Sequence, residues 1–159
     1  MTNKNISVPP ILVLGVGNLL MKDEGVGVHA ALKLLHMPLP PFVEIIDGGT
    51  AGLDLLSYLE NREKVIIIDA MQTDEPPGTI FRLTPGNIGS LVKEKQFSLH
   101  QPGVAELLRI AQTIGLSLPD VVILAVQPAD ISIGTDLSPS LEEKLPRLIQ
   151  SVLNEIETH

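Results

Sequence analysis

The residues best suited to chemistry are acids and one histidine, spread widely along the chain. Asp23 and Glu24 follow an apolar run, Ile11 to Leu14, that is broken by Gly15-Val16-Gly17-Asn18. Asp47 opens Asp47-Gly48-Gly49-Thr50, Asp69 closes another apolar run, and His100 stands before a helical pattern. A glycine turn after a first strand suggests a phosphate cradle, but two carboxylates in the same loop would repel a pyrophosphate and suit a cation. One acid of that loop, Asp69 and His100 would make an open oxygen–oxygen–nitrogen ligand set, fitted to a borderline divalent ion such as zinc or nickel. The same three groups could equally form an acid/base site without metal. Each has a plainer reading: Asp23 or Glu24 as a helix cap, Asp69 and Asp47 as turn acids, His100 as an exposed or capping residue. His29 and His36 read as surface residues of a helix, and His159 is terminal.

Rival motifs are weaker. Leu20 occupies the third glycine position of a dinucleotide fingerprint, although Asp47 sits near where a ribose-binding acid would be. There is no G-x-x-x-x-G-K-[ST] cradle, no H-E-x-x-H, no G-x-S-x-G and no Asp-[ST]-Gly pair of a pepsin-like dyad. Eleven basic against nineteen acidic residues leave a net charge of −8, which argues against nucleic acid or an anionic membrane as partner. The absence of cysteine excludes disulfides, thiolate metal sites and a cysteine nucleophile. Residues 1–10 lack the apolar centre of a signal peptide, and no apolar run approaches the ~18 residues of a membrane span. The expectation is a cytoplasmic, acidic, single domain over residues 1–159.

The elements that would position these groups alternate between strand and helix. Strands are expected at Ile11 to Leu14, Val43 to Ile46, Val65 to Ile68, Thr79 to Leu83 (an edge candidate) and Val121 to Val126. A helix is expected over Gly25 to Leu35, with Asp23 as N-cap and Val28, Ala31, Leu32 and Leu35 on its inner face. A short helix should cover Gly52 to Leu59. Another should open at Pro102, with Val104, Leu107, Leu108, Ala111 and Ile114 inward. Thr84 to Ser98 reads as a long loop. Ser138-Pro139 caps a last helix carrying Leu141, Leu145, Leu148, Ile149, Val152 and Ile156, which Pro146 should kink or split. The alternation predicts an α/β sandwich with a mostly parallel sheet, whose ligand site lies beyond the carboxyl ends of the strands. There Glu24 and Asp69 would face each other, and His100 would join them only if the long loop folds back.

The blocks Gly15-Val16-Gly17-Asn18, Asp23-Glu24-Gly25-Val26-Gly27, Asp47-Gly48-Gly49-Thr50-Ala51-Gly52, Asp69-Ala70, Pro77-Gly78-Thr79 and Ser98-Leu99-His100-Gln101 follow one another across nearly the whole chain. In this order and spacing the chain resembles the hydrogenase maturation proteases, which remove a C-terminal peptide from the large-subunit precursor of nickel–iron hydrogenases. The resemblance implies an α/β three-layer sandwich with a mostly parallel, twisted five-stranded sheet between helices. It further implies a metal site of Glu24, Asp69 and His100, with Asp47 lining the same cleft as a candidate to activate water, in an endopeptidase grouped with the aspartic type. Nickel would be no resident cofactor; it would arrive in the precursor, and cadmium or zinc could occupy the same ligands. Two other readings remain: a nickel sensor or insertion chaperone that cuts nothing, and a nucleotide-dependent enzyme on a degenerate Rossmann unit.

Overall fold

The computed structural model describes residues 8–87, 97–98 and 103–158, with only the backbone of 97–98. At its centre are strands that are apolar along their whole length because both faces are covered. β1 (Ile11–Val16) is buried at every residue, and β3 (Lys64–Gln72) at every residue but its last. β1 pairs in parallel with β2 (Val43–Gly49) on one side and with β3 on the other. β3 pairs in parallel with β6 (Asp120–Val126), and β4 (Ile80–Leu83) adds antiparallel to β6, giving the order β2-β1-β3-β6-β4. The short β5 (Phe97–Ser98) pairs antiparallel with Met71 and Gln72 at the carboxyl end of β3.

Alternation along the strands divides the apolar residues between two cores. Ile11, Val13, Ile66, Ile68, Val122 and Leu124 pack under α1 (Val26–Leu35) and the long final helix α4 (Pro139–Glu157). Leu12, Leu14, Val65, Ile67, Val121 and Ile123 pack under a 3-10 turn (Gly52–Leu55) running into α2 (Leu56–Leu59), and under α3 (Val104–Thr113). The architecture is the expected three-layer α/β sandwich, with β4 at an edge as expected. No helix among the described residues is long and apolar enough to cross a membrane.

Several local expectations change. β3 does not end at Asp69; it runs on to Gln72, because β6 pairs with it through Ala70 and β5 continues from Met71. The inner face of α1 is Val26, Val28, Ala30, Ala31 and Leu34, while Leu32 and Leu35 are exposed, so small residues next to the sheet set the face. On α3, Ile114 is 65% exposed just past the last helical turn. That helix begins at Val104 with Gly103 as its N-cap, and Pro102 lies outside the described residues. Pro146 is absorbed within α4, whose 19 residues are not split. Ser138 does cap α4, accepting from Leu141 N–H at 3.4 Å, with Pro139 as the first helical residue. Most of the expected Thr84 to Ser98 loop lies outside the described residues.

The strand order creates a switch point. From β1 the chain moves outward to β2, then returns across to β3 on the opposite side of β1. Connections leaving in opposite directions mark the carboxyl ends of β1 and β3 as the place where open α/β sheets bind their ligands.

Candidate active site at the strand switch point

Glycine lets the first turn after β1 sit at this switch point. A 3-10 turn (Lys22–Gly25) leads straight into α1 and packs against β3. A Cβ on Gly27 would lie 2.1 Å from the carbonyl oxygen of Ile68 and 2.5 Å from that of Val16. The start of α1 is thus wedged between the two diverging strands. Gly17 has φ +149°, and a Cβ there would lie 2.2 Å from the carbonyl oxygen of Glu24. The spacing that looked like a phosphate loop is therefore a packing device, and it seats the half-buried Glu24 at the switch point.

Asp23 has the opposite fate. It is fully buried, and its carboxylate accepts from Ala129 N–H (2.8 Å), Asp130 N–H (2.9 Å), Ser138 N–H (2.7 Å) and Ser138 Oγ–H (2.7 Å). It does not cap the helix that follows it, contrary to expectation; the residues preceding the 3-10 turn and α1 make no side-chain cap. All of its acceptor capacity goes to the loop after β6 and the start of α4. Around it, Lys22 N–H donates to Gly134 O (3.0 Å), Gly134 N–H to Leu20 O (2.9 Å) and Asp23 N–H to Asp130 O (3.0 Å). Lys22 adopts φ 46°, a strained conformation for a side-chain-bearing residue, and its ammonium meets Asp130 at 3.1 Å. Ser132 donates through Oγ–H and N–H to Asp130, and with Lys22 these hold the Asp130 carboxyl down to about 2. None of this second loop was visible beforehand, because its partners lie more than a hundred residues away.

Asp69 is 2% exposed on β3, one residue past Ile68, where pairing with β1 stops. Its Oδ1 accepts from Ala70 N–H at 2.8 Å. Its position in the alternation, between Ile67 and Met71, puts it on the α2/α3 side of the sheet. Glu24, in the turn entering α1, and Asp69, just past the β1–β3 pairing, both lie at the carboxyl ends of these two strands. Asp47 pairs with Gly15 on β1, and Gly15 faces Gly27 and Ala31 of α1, so Asp47 lies on the α1 side of the sheet. It is exposed, and its Oδ1 accepts from Gly49 N–H at 3.0 Å, closing the turn in which Gly49 has φ +48°. His100 lies outside the described residues; β5 ends two residues before it and pairs two residues beyond Asp69. Among the described residues no three acids, histidines or cysteines are gathered closely enough to hold a metal ion. His29 is half-buried and not a surface residue, with a buried Nε2 that has no hydrogen-bond partner.

Comparison with known proteins identifies the scaffold. The family model described as hydrogenase maturation protease matches residues 28–155. The chain belongs to that family. The hydrogenase 2 maturation protease of Escherichia coli (strain K12) is 37% identical over 146 residues, covering 90% of this chain and 88% of that protein. The hydrogenase expression/formation protein HupD of Thiocapsa roseopersicina is 35% identical over 149 residues, covering 92% of this chain and 67% of that protein. Among solved structures, the hydrogenase maturating endopeptidase HybD from E. coli superposes with a TM-score of 0.82 at 36% identity, covering 93% of this chain and 92% of that one. A hydrogenase maturation protease is a peptide hydrolase, and the family function is C-terminal processing of the hydrogenase large subunit. In this member the switch point, where Glu24 and Asp69 lie, is the candidate place for that hydrolysis.

Proposed function

We propose that this protein is a cytoplasmic endopeptidase that removes the C-terminal extension of a nickel–iron hydrogenase large-subunit precursor once nickel has been inserted. In this reading Glu24, Asp69 and His100 complete the coordination of nickel carried by the precursor, and the metal is part of the substrate. What supports it is membership of this family, together with the position of Glu24 in the turn entering α1 and of Asp69 just past the β1–β3 pairing, both at the carboxyl ends of β1 and β3. Two carboxylate donors and an imidazole suit a borderline ion and leave positions for ligands from the precursor. Coordination makes cleavage conditional on a filled precursor, since an empty one lacks the differential affinity that nickel supplies. The scissile peptide is held by the same contact. Water adds to its carbonyl carbon as a switch-point carboxylate takes the water's proton. The same carboxyl then passes that proton to the amide nitrogen as the C–N bond breaks, freeing the peptide as an amine. That role suits the Glu24/Asp69 pair better than Asp47, whose carboxylate accepts from Gly49 N–H and closes that turn. The activity is aspartic only in relying on carboxylates.

The test is processing of nickel-loaded and nickel-free precursor, read as the mass lost at the precursor's C-terminus. Only the loaded form should be cut, and Glu24→Gln, Asp69→Asn and His100→Gln should each abolish cutting while the protein stays folded. Equal cutting of both forms would refute recognition through nickel. Nickel-dependent binding without any mass loss would instead identify a sensor or chaperone.

A further inference from the structure

Next to Glu24 the molecule presents apolar side chains that the fold does not use. Met21 and Gly134 form a parallel bridge between the segment before the 3-10 turn and the loop after β6. Leu20 and Ile133 each stand one residue before the bridged pair, and Gly134 N–H donates to Leu20 O at 2.9 Å. Leu20 is 63% exposed and Ile133 84%, and Ile131, two residues earlier, is 38% exposed. These side chains are not on loose chain. The Leu20, Lys22 and Gly134 backbones are cross-bonded, Asp23 anchors Ala129, Asp130 and Ser138, and the Cβ site of Gly134 is filled by the Lys22 stem, 2.8 Å from its Cε. Lys22 and Asp130, beside the patch, are paired with each other at 3.1 Å. An exposed apolar patch held on a hydrogen-bonded frame has the make-up of an interface core.

From this we infer that Leu20, Ile131 and Ile133 form a docking platform for the body of the large-subunit precursor beside its cleavage site. Continuity selects this occupant. The platform is the chain segment leading into Glu24 together with the loop bonded to it, so a protein that brings its substrate group to Glu24 must lie over Leu20 and Ile133. The inference rests on the protease reading and adds to it the surface that supplies binding energy away from the reacting bond. Because the platform and the Glu24 turn share one hydrogen-bonded frame, seating the precursor on it also fixes the precursor's position relative to Glu24.

The experiment measures initial rates of nickel-loaded precursor processing across precursor concentrations for the wild type, Leu20→Ser, Ile133→Ser and the double variant. These side chains are exposed, so the variants should retain the wild-type melting temperature. Removing apolar contact shared by ground and transition state raises KM without lowering kcat, and the double variant should show a rise of about tenfold or more. Ile114→Ser, at the opposite end of the sandwich, should leave both constants unchanged. Unchanged KM in the double variant, with an active wild type, overturns the platform and leaves the protease reading standing. An equal KM rise in Ile114→Ser, or a loss confined to kcat, overturns it as well. So does a wild-type dimer that the double variant splits without change in KM, since the platform would then belong to a second copy. A wild type that cuts no precursor removes the protease reading and this inference with it.

Discussion

Asp23 and Glu24 are adjacent acids with opposite jobs, and their environments decide which does what. Asp23 has no solvent access and its oxygens are spent on donors from the loop after β6 and from Ser138, whereas Glu24 is half-buried at the switch point. Asp23→Ala would leave three backbone N–H groups and one hydroxyl without their acceptor. A buried donor left unpaired costs roughly 1–3 kcal/mol, so the variant should lose about 4 kcal/mol in urea unfolding, some contacts being recovered by water. Asp23→Asn should lose about half as much, because one oxygen still accepts. Processing should fall in both, since the frame they weaken carries Glu24. Gly17→Ala tests the seat of Glu24 from below. The new methyl would meet the Glu24 carbonyl at 2.2 Å in a backbone conformation of φ +149°. A stability loss of about 1–3 kcal/mol is expected from strain, with a larger proportional loss of processing as the turn shifts. A wild-type rate in Gly17→Ala would show that the position of Glu24 is unimportant.

The elements show why some of this was legible in the sequence and some was not. Strands buried on both faces write themselves as unbroken apolar runs, so Ile11, Val65 and Val121 marked three of them correctly, and Ser138-Pro139 announced α4 because a cap and a first-turn proline are local signals. What failed were choices made by tertiary neighbours. The inner face of α1 went to Ala30 and Leu34 because the helix lies close to β1, where Gly15 permits contact with Ala31. The role of Asp23 was hidden because its partners are 106–115 residues distant. The resemblance picked Glu24 over Asp23, and the burial of Asp23 supplies the physical reason. The loop after β6 likewise carries no local sequence signal, because Asp130 organises it through Ser132 and the distant Lys22. Hydrogen bonds from Ser132 and the Lys22 ammonium lower the Asp130 carboxyl from 3.8 to about 2. A carboxyl with a depressed folded pKa contributes stability above its unfolded value and loses it as pH falls through the folded one. Ordering of this loop should therefore be complete above about pH 4 and fade towards pH 2. The amide signals of Ile131 and Ser132 in NMR should titrate with a midpoint near 2; a midpoint near 4 would mean that the bonds to Asp130 do not persist in solution.

At the scale of the molecule, α4 is fastened to the sheet at both ends, and the two fasteners separate stability from activity. Its first turn is tied to the switch-point end through Ser138 and Asp23. Its last turn is tied through Glu155 to Lys64 at the start of β3, where Lys64 Nζ donates to Glu155 O (2.8 Å) and Oε2 (3.0 Å). Arg82 on β4 adds its guanidinium to the same carboxylate. Lys64 is only 4% exposed, so it needs this counter-charge. Burial alone pushes the Glu155 carboxyl up, but the hydrogen bonds and charges of Arg82 and Lys64 outweigh it and hold the carboxyl below the usual glutamate range. Its contribution to stability is therefore present above pH 4.5, its unfolded value, and is lost as pH falls below that through the folded pKa. Glu155→Gln leaves the Lys64 ammonium buried without an opposite charge, which should cost about 3 kcal/mol at neutral pH. The variant should also show a flatter acid dependence, because the group that titrates differently in the two states is gone. Since Lys64 and Glu155 sit at the end of the sheet away from the switch point, kcat and KM measured well below the melting temperature should match the wild type. A loss of processing larger than the loss of folded protein would show that the two ends of α4 are mechanically coupled, and that the site depends on the whole sandwich and not on its upper rim alone.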